Sequence, residues 1–262
     1  MLLLGLDTAT PAVTVALHDG TQVLAEATTI DKHRHAELLA PAIEQVLTEA
    51  GAQRGDLTQI AVGVGPGPYT GLRVGLVTAR MLGAALGLPV HGVCSLDIIA
   101  ADAPGPAMAA PQFLVATDAR RREVYYARYD QVGRLVDPRV DRPGDVEDRA
   151  GLPAFGEGAR LYAEEFDLVD GPTYPVAATL CRLVAANLAA AFTMPPAGTV
   201  LPAGTVLPAG SVLPAGSRPP LLLPPEPLYL RRPDAREPGA PKRVTETPAP
   251  QATVQRSGQV RA

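Results

Sequence analysis

The sequence predicts an α/β fold built from two related halves, and three observations lead there. Between residues 30 and 101, strand-length apolar runs alternate with longer segments of helical period. Two three-stranded passages share a spacing: Asp7 precedes Val13 by six residues and Asp19 by twelve, and Asp118 stands at the same distances from Val124 and Asp130. The length, 262 residues, is enough to bury one large core or two modest ones.

The elements follow in order. LLLGLD, VTVALH and TQVLAEAT read as a meander over the first 28 residues, punctuated by a TATPA turn and by Asp19-Gly20. A helix is expected over 35–50, a strand over 60–64, a helix over 71–87, a strand over 90–93 and a short helix over 95–101. The second meander is QFLVATD, VYYARYD and, after a glycine turn, RLVD at 134–137. Helices near 159–166 and over 176–192 close the ordered pattern.

From 195 to 225 the chain runs AGTVLP, AGTVLP, AGSVLP, AGS, a six-residue period with a proline in each copy. Three and a half copies are too few for a hexapeptide solenoid, so a disordered linker is expected. Fifteen of the 28 prolines lie from Pro195 onward, and the chain beyond Pro238 has almost no bulky apolar residue with which to build a core. One island, PEPLYLRRPDA, is expected to dock back through Leu228, Tyr229 and Leu230. The expected division is an N-terminal lobe at 1–104, a C-terminal lobe at 105–194, the linker at 195–225, a docked segment at 226–234 and a disordered basic tail at 235–262.

Charge and cysteine content narrow the function. The net charge of −4 is uneven: from Arg231 onward seven basic and three acidic side chains give +4, which leaves −8 on the body. An acidic body is poorly suited to gripping nucleic acid alone. Cys94 and Cys181 are far apart and suggest neither a disulfide framework nor a metal knuckle, so a reducing, cytoplasmic setting is expected. MLLLGLD has no basic leader and reaches an aspartate at once, which reads as a buried strand rather than a signal peptide.

GVGPGPYTGLRVG, residues 63–75, has five glycines and looks like a phosphate loop. A Walker loop needs Gly-Lys, which is missing, and a G-x-G-x-x-G fingerprint meets Thr70 where its third glycine should be. Pro66 and Pro68 also remove two amide donors. The downstream helix offers another use: Gly71, Gly75, Ala79, Gly83 and Gly87 recur every four residues, a stripe that invites close approach of another backbone. That backbone is either the chain's own sheet or another subunit. The helix over 35–50 adds a wide apolar stripe of Leu38, Leu39, Ala42, Ile43, Val46 and Leu47.

DTAT, an aspartate at a strand end with hydroxyls after it, is how actin-like and sugar-kinase-like ATPases begin. Its counterpart after Asp118 is Ala119-Arg120-Arg121-Arg122, a run that reads as a solvated hairpin corner. His33 and His35 are two residues apart with no third ligand at a suitable spacing, so no metal is expected. No Gly-x-Ser-x-Gly elbow occurs.

LLLGLDTAT, RHAELLAPAIEQVL, IAVGVGPGPYTGLRVGLVTARMLGAALGLPVHGVCSLDIIA and the late PLYLR together resemble the TsaB (formerly YeaZ) family. The resemblance is strong over residues 1–101 and looser to about 192. It implies an actin/Hsp70-like (ASKHA) fold of two related lobes, the C-terminal one degenerate. It also implies a non-catalytic subunit that pairs with the catalytic paralogue TsaD, which a TsaE ATPase joins, for threonylcarbamoylation of the tRNA adenosine beside the anticodon. A homodimer is implied when the partner is absent, tRNA is reached only indirectly, and no cofactor is called for. The implied partner surface comprises His35, Leu38, Leu39, Ala42, Ile43 and Val46 on the first helix. It continues with Pro66, Gly67, Tyr69, Thr70, Gly71, Leu72, Arg73, Gly75, Leu76, Ala79 and Gly83. Asp7, Thr8 and Thr10 are candidates only for a vestigial nucleotide cleft. The competing expectation is an enzyme active alone, an actin-like phosphotransferase or a metallopeptidase. The hexapeptide insert and the basic tail depart from the family pattern.

Overall fold

A computed structural model describes residues 1–192 and 219–230. The hexapeptide copies up to residue 218 and the basic tail from 231 lie outside the described residues. In order, the elements are β1 (Leu3–Asp7), β2 (Ala12–His18), β3 (Val23–Ile30), α1 (His35–Glu49), β4 (Gln59–Gly63), α2 (Tyr69–Leu86), β5 (Val90–Val93), α3 (Ser95–Ala101) and α4 (Gly105–Ala109). The second half holds β6 (Phe113–Asp118), β7 (Val124–Tyr129), β8 (Arg139–Asp141), β9 (Pro153–Phe155), α5 (Glu157–Leu161), β10 (Asp167–Leu168), α6 (Ala177–Phe192) and β11 (Leu222–Leu223).

Two mixed sheets organise these elements, in the orders β11-β5-β4-β1-β2-β3 and β10-β9-β6-β7-β8. The same motif starts each: an antiparallel meander whose first strand also pairs in parallel with a later strand, β1 with β4 and β6 with β9. The repeated aspartates do the same work in both. Asp7 Oδ1 accepts the Ala9 amide at 2.7 Å and Asp118 Oδ1 the Arg120 amide at 2.8 Å. At the next turn, Asp19 Oδ1 accepts from the amides of Thr21 and Gln22, and Asp130 Oδ1 from those of Val132 and Gly133. Short carboxylate side chains close such turns because they reach the amides two and three residues on. The register is not identical: Asp7 pairs with Thr14, whereas Asp118 pairs with Val124, so the first hairpin is one residue longer.

Alternation along β1 divides the first core. Leu4 and Leu6 face Leu39, Ile43 and Val46 of α1 and Leu72 and Leu76 of α2. Leu3 faces the other way, toward Ala177, Leu180, Cys181 and Val184 of α6. That approach is close at Gly5, where an added Cβ would sit 2.5 Å from Cys181 Sγ. Thus α6 follows the second sheet in sequence yet packs on the first. In the second half, Phe113, Val115, Tyr129 and Phe155 meet Leu96 and Ile99 of α3, while Leu114, Ala116 and Val146 meet Ala159 and Phe166 on the opposite face.

Two expectations need correction. The third strand of the second meander is not 134–137: Arg134 makes only an isolated bridge to Tyr129, and β8 at 139–141 pairs with β7 instead. Pro138 lies between the two and has no amide for a ladder. The expected linker also ends early, because Leu222–Leu223 adds antiparallel to β5 and Leu222 is buried.

Candidate functional site

The glycine loop and the DTAT turn pack on each other, and Thr8 commits its hydroxyl to that contact. Thr8 Oγ1 donates to the Gly71 carbonyl at 2.7 Å and accepts the Gly75 amide at 2.9 Å. It therefore bridges two backbone groups that are one helical turn apart on α2. A Cβ on Gly75 would lie 2.6 Å from this hydroxyl, and one on Gly67 would lie 2.2 Å from the Ala9 carbonyl. The glycines are there because the turn occupies the space their side chains would fill. Gly65, with φ of 90°, exchanges hydrogen bonds with Ser95: its amide donates to Oγ at 3.2 Å and its carbonyl accepts the Ser95 amide at 2.8 Å.

Asp7 is sealed beneath this contact. Its side chain is fully buried; Ser95 Oγ donates to Oδ2 at 2.6 Å, and the Gly63 backbone leaves no room for even a methyl group beside it. Burial pushes its pKa up to about 6, against the lowering effect of the bonds from Ser95 and Ala9. Thr10 is buried too; its carbonyl meets His35 Nε2 at 2.8 Å. Beside the turn, a cavity of about 310 Å³ is lined by Thr8, Thr10, Lys32, His33, His35 and Arg120 among others. Among the described residues, no three His, Cys, Asp or Glu side chains gather as a metal would require.

The residues expected at a partner surface divide by exposure. His35, Leu39, Ile43, Val46, Pro66, Gly67, Gly71, Leu72, Gly75, Leu76, Ala79 and Gly83 are buried in the chain's own fold. The small-residue stripe of α2 therefore faces its own sheet: Gly71 and Gly75 lie on Thr8, and Gly83 on Val90. Leu38 and Ala42 are half-buried, while Tyr69, Thr70 and Arg73 are exposed. Opposite the glycines, α2 presents Tyr69, Val77 and Met81, exposed by 43%, 57% and 65%. Val77 and Met81 were not among the expected residues, although they follow Arg73 at intervals of four and so share its helix face.

The late island completes this surface. The Leu228 amide donates to the Val64 carbonyl at 2.8 Å, and its side chain packs against both cores. Tyr229 stacks on Tyr69 with ring centroids 5.1 Å apart. Arg73 joins them, its Cζ 3.7 Å over the Tyr69 ring and its Nε donating to Tyr229 Oη at 2.8 Å. A planar cation over an aromatic face fixes the orientation of all three.

Two mixed sheets related by repetition of one meander, with helices packed on both, define an actin/Hsp70-like protein of two lobes. The family model described as "TsaD: tRNA N6-adenosine threonylcarbamoyltransferase" matches residues 22–196. The solved structure of YeaZ from Pseudomonas aeruginosa is 30% identical, with a TM-score of 0.62 over 72% of this chain and 92% of that one. The chain thus belongs to the TsaB (YeaZ) family, within the wider family of that model. The tRNA threonylcarbamoyladenosine biosynthesis protein TsaB of Bacillus subtilis is 33% identical over 141 residues, 53% of this chain and 60% of that protein. The uncharacterized protein Rv3421c of Mycobacterium tuberculosis is 47% identical over 165 residues, covering 61% and 75%.

Proposed function

We propose that this chain is a non-catalytic scaffold subunit that binds a TsaD-like catalytic paralogue. The pair carries out N6-threonylcarbamoylation of the tRNA adenosine beside the anticodon. The observation that carries the reading is the exposed strip on α2, Tyr69, Val77 and Met81 around Arg73. Aromatic, methionine and arginine side chains enrich the centres of protein interfaces. The biosynthesis role comes from the relatives named TsaB, and the paralogue from the TsaD family model. A TsaE-like ATPase joins the pair, the chain pairs with itself when the paralogue is absent, and tRNA is contacted mainly by the partner in the cytoplasm. The sealed Asp7 speaks against a phosphotransferase active alone, since a carboxylate closed off by Ser95 and Gly63 cannot reach a nucleotide or its metal ion.

Val77→Glu and Met81→Glu test the surface, because both positions are exposed and neither change should alter folding. Each is expected to abolish co-purification with the TsaD-like subunit while leaving the melting temperature within a few degrees of the parent. Normal co-purification of both variants would move the interface elsewhere. The purified chain alone is expected to show no ATP hydrolysis and no peptidase activity; turnover that disappears in Asp7→Asn would overturn the scaffold reading.

A further inference from the structure

The late island holds the Arg73 guanidinium in place without neutralising it. Two anchors fix the island: Leu222–Leu223 pairs with β5, and the Leu228 amide donates to the Val64 carbonyl at 2.8 Å. Tyr229, next in the chain, therefore meets α2 from a set position. Its ring stacks on Tyr69 and its hydroxyl accepts from Arg73 Nε at 2.8 Å, while Arg73 Cζ lies 3.7 Å over the Tyr69 ring. A long side chain that would otherwise sample many rotamers is held ready in one.

Neither tyrosine cancels the positive charge. What raises the guanidinium's pKa is its hydrogen bond to Tyr229, with Tyr69 adding to it, and no carboxylate among the described residues contributes. The helix itself offers none: the charged residues of α2 are Arg73 and Arg80, both exposed. Of the acids on the adjoining α1, Glu44 pairs with Arg54, Glu49 accepts from Gln45, and Glu37 lies beside Arg34. Because the Tyr229 hydroxyl takes Nε, the terminal nitrogens Nη1 and Nη2 are left for an outside acceptor.

We propose that the TsaD-like partner places an Asp or Glu carboxylate on the free end of the Arg73 guanidinium, with Tyr229 as the positioning residue that aims it. The inference rests on the scaffold reading above, since it requires the α2 strip to be covered. Covering that strip takes water from the guanidinium, and a desolvated cation left without an anion weakens an interface. The planar fork makes two parallel bonds to a carboxylate, the strongest pairing open to it. A protein carboxylate is favoured over a tRNA phosphate: the apolar neighbours Val77 and Met81 suit a protein surface, and Glu37, Glu44 and Glu49 on α1 repel a polyanion.

The test measures the affinity of the full chain for the purified TsaD-like subunit by titration calorimetry at low and moderate salt, with melting curves to check that each variant folds. Arg73→Met is expected to weaken binding at least about thirtyfold and to remove most of the loss that salt causes in the parent. Tyr229→Phe keeps the stack and should cost about fivefold, the scale of one hydrogen bond. In the Arg73→Met background it should cost nothing further, because the tyrosine acts through the arginine. Arg73→Glu should be rescued by one paralogue variant in which a single exposed Asp or Glu is changed to Arg, and that variant identifies the acceptor. A parent chain that binds no paralogue, or normal binding by both Val77→Glu and Met81→Glu, defeats the scaffold surface itself. Loss of binding in those two variants, with Arg73→Met equal to the parent, defeats only the Arg73 assignment. A weakened Arg73→Met whose salt dependence matches the parent's reduces the contact to packing, and unchanged pairing with lowered tRNA retention by the complex gives the guanidinium to a phosphate; either result overturns the proposal. So does the failure of every charge-reversed paralogue to rescue Arg73→Glu. An undiminished effect of Tyr229→Phe in the Arg73→Met background would remove its positioning role.

Discussion

The two aspartate turns start from the same construction and end in opposite environments. Asp7 and Asp118 each terminate the first strand of a meander and each accept the amide two residues on. The first turn is then covered by α2, which buries Asp7, Thr8 and Thr10 and spends the threonine hydroxyl on the helix backbone. The second leaves Asp118 half-buried and its arginines exposed: Arg120 pairs with Asp118 at 3.2 Å, and Arg120, Arg121 and Arg122 all hold positive φ. What separates them is where the covering element lands: α2 brings small residues onto the first turn itself, whereas Gly156 and Gly158 at the start of α5 pack on the backbone of Ala116 and Thr117, short of the three arginines, which are exposed. A shared hairpin therefore does not carry a shared function, because the turn's chemistry is set by what packs on it.

Mutations should break this comparison unequally. Gly75→Leu is expected to have the largest effect, since its first carbon alone would strike Thr8 Oγ1; a cost above ~3 kcal/mol should appear as a collapsed denaturant midpoint. A midpoint close to the parent's would mean that α2 can lift off the turn.

Next comes Asp7→Asn, which is read against pH. The folded pKa of Asp7 is raised, from 3.8 to about 6, so between these values the unfolded chain ionises while the folded one keeps its proton. Stability contributed by the protonated carboxyl is thus present below pH 4 and lost as pH rises to about 6, by roughly 3 kcal/mol. Asp7→Asn should flatten that slope in chemical denaturation at a series of pH values. Asp118→Asn should leave it in place and cost no more than about 1 kcal/mol, the scale of a partly exposed ion pair. Equal effects from the two substitutions would erase the distinction drawn between the turns.

The smallest effect is expected at the exposed corner. Arg122 holds a φ of 61°, which a side chain disfavours, so Arg122→Gly should gain up to ~1 kcal/mol despite the added freedom of the unfolded chain. A loss instead would show that the arginine side chain contributes more than its backbone costs.

Sequence legibility followed the strength of local pattern. β5 and α3 fall at the residues expected of them, 90–93 and 95–101, because a short apolar run and a helical period each left little choice. The repeated aspartate spacing pointed to two related units, and the turns it marks are closed in the same way. By contrast β9, β10 and β11 span only two or three residues, too few for any period, and exist because a neighbouring strand offers them hydrogen bonds. RLVD was apolar enough to be a strand, but the ladder went to Arg139–Asp141.

At the site, the sequence by itself determined that the glycine loop lacks the residues of a phosphate loop and that α2 has one face stripped of side chains. Only the tertiary structure decided which way that face turns. A small-residue stripe fits a foreign backbone and the chain's own sheet equally well in local terms; here the chain's own fold won because Thr8, at the end of β1, and Val90, on β5, stand where the missing side chains of Gly71, Gly75 and Gly83 would be. Turning the glycines inward is what leaves Tyr69, Val77 and Met81 facing out, and it brings Tyr229 from 156 residues away onto Arg73. No local pattern specifies such a pairing, since its energy exists only once the fold has closed.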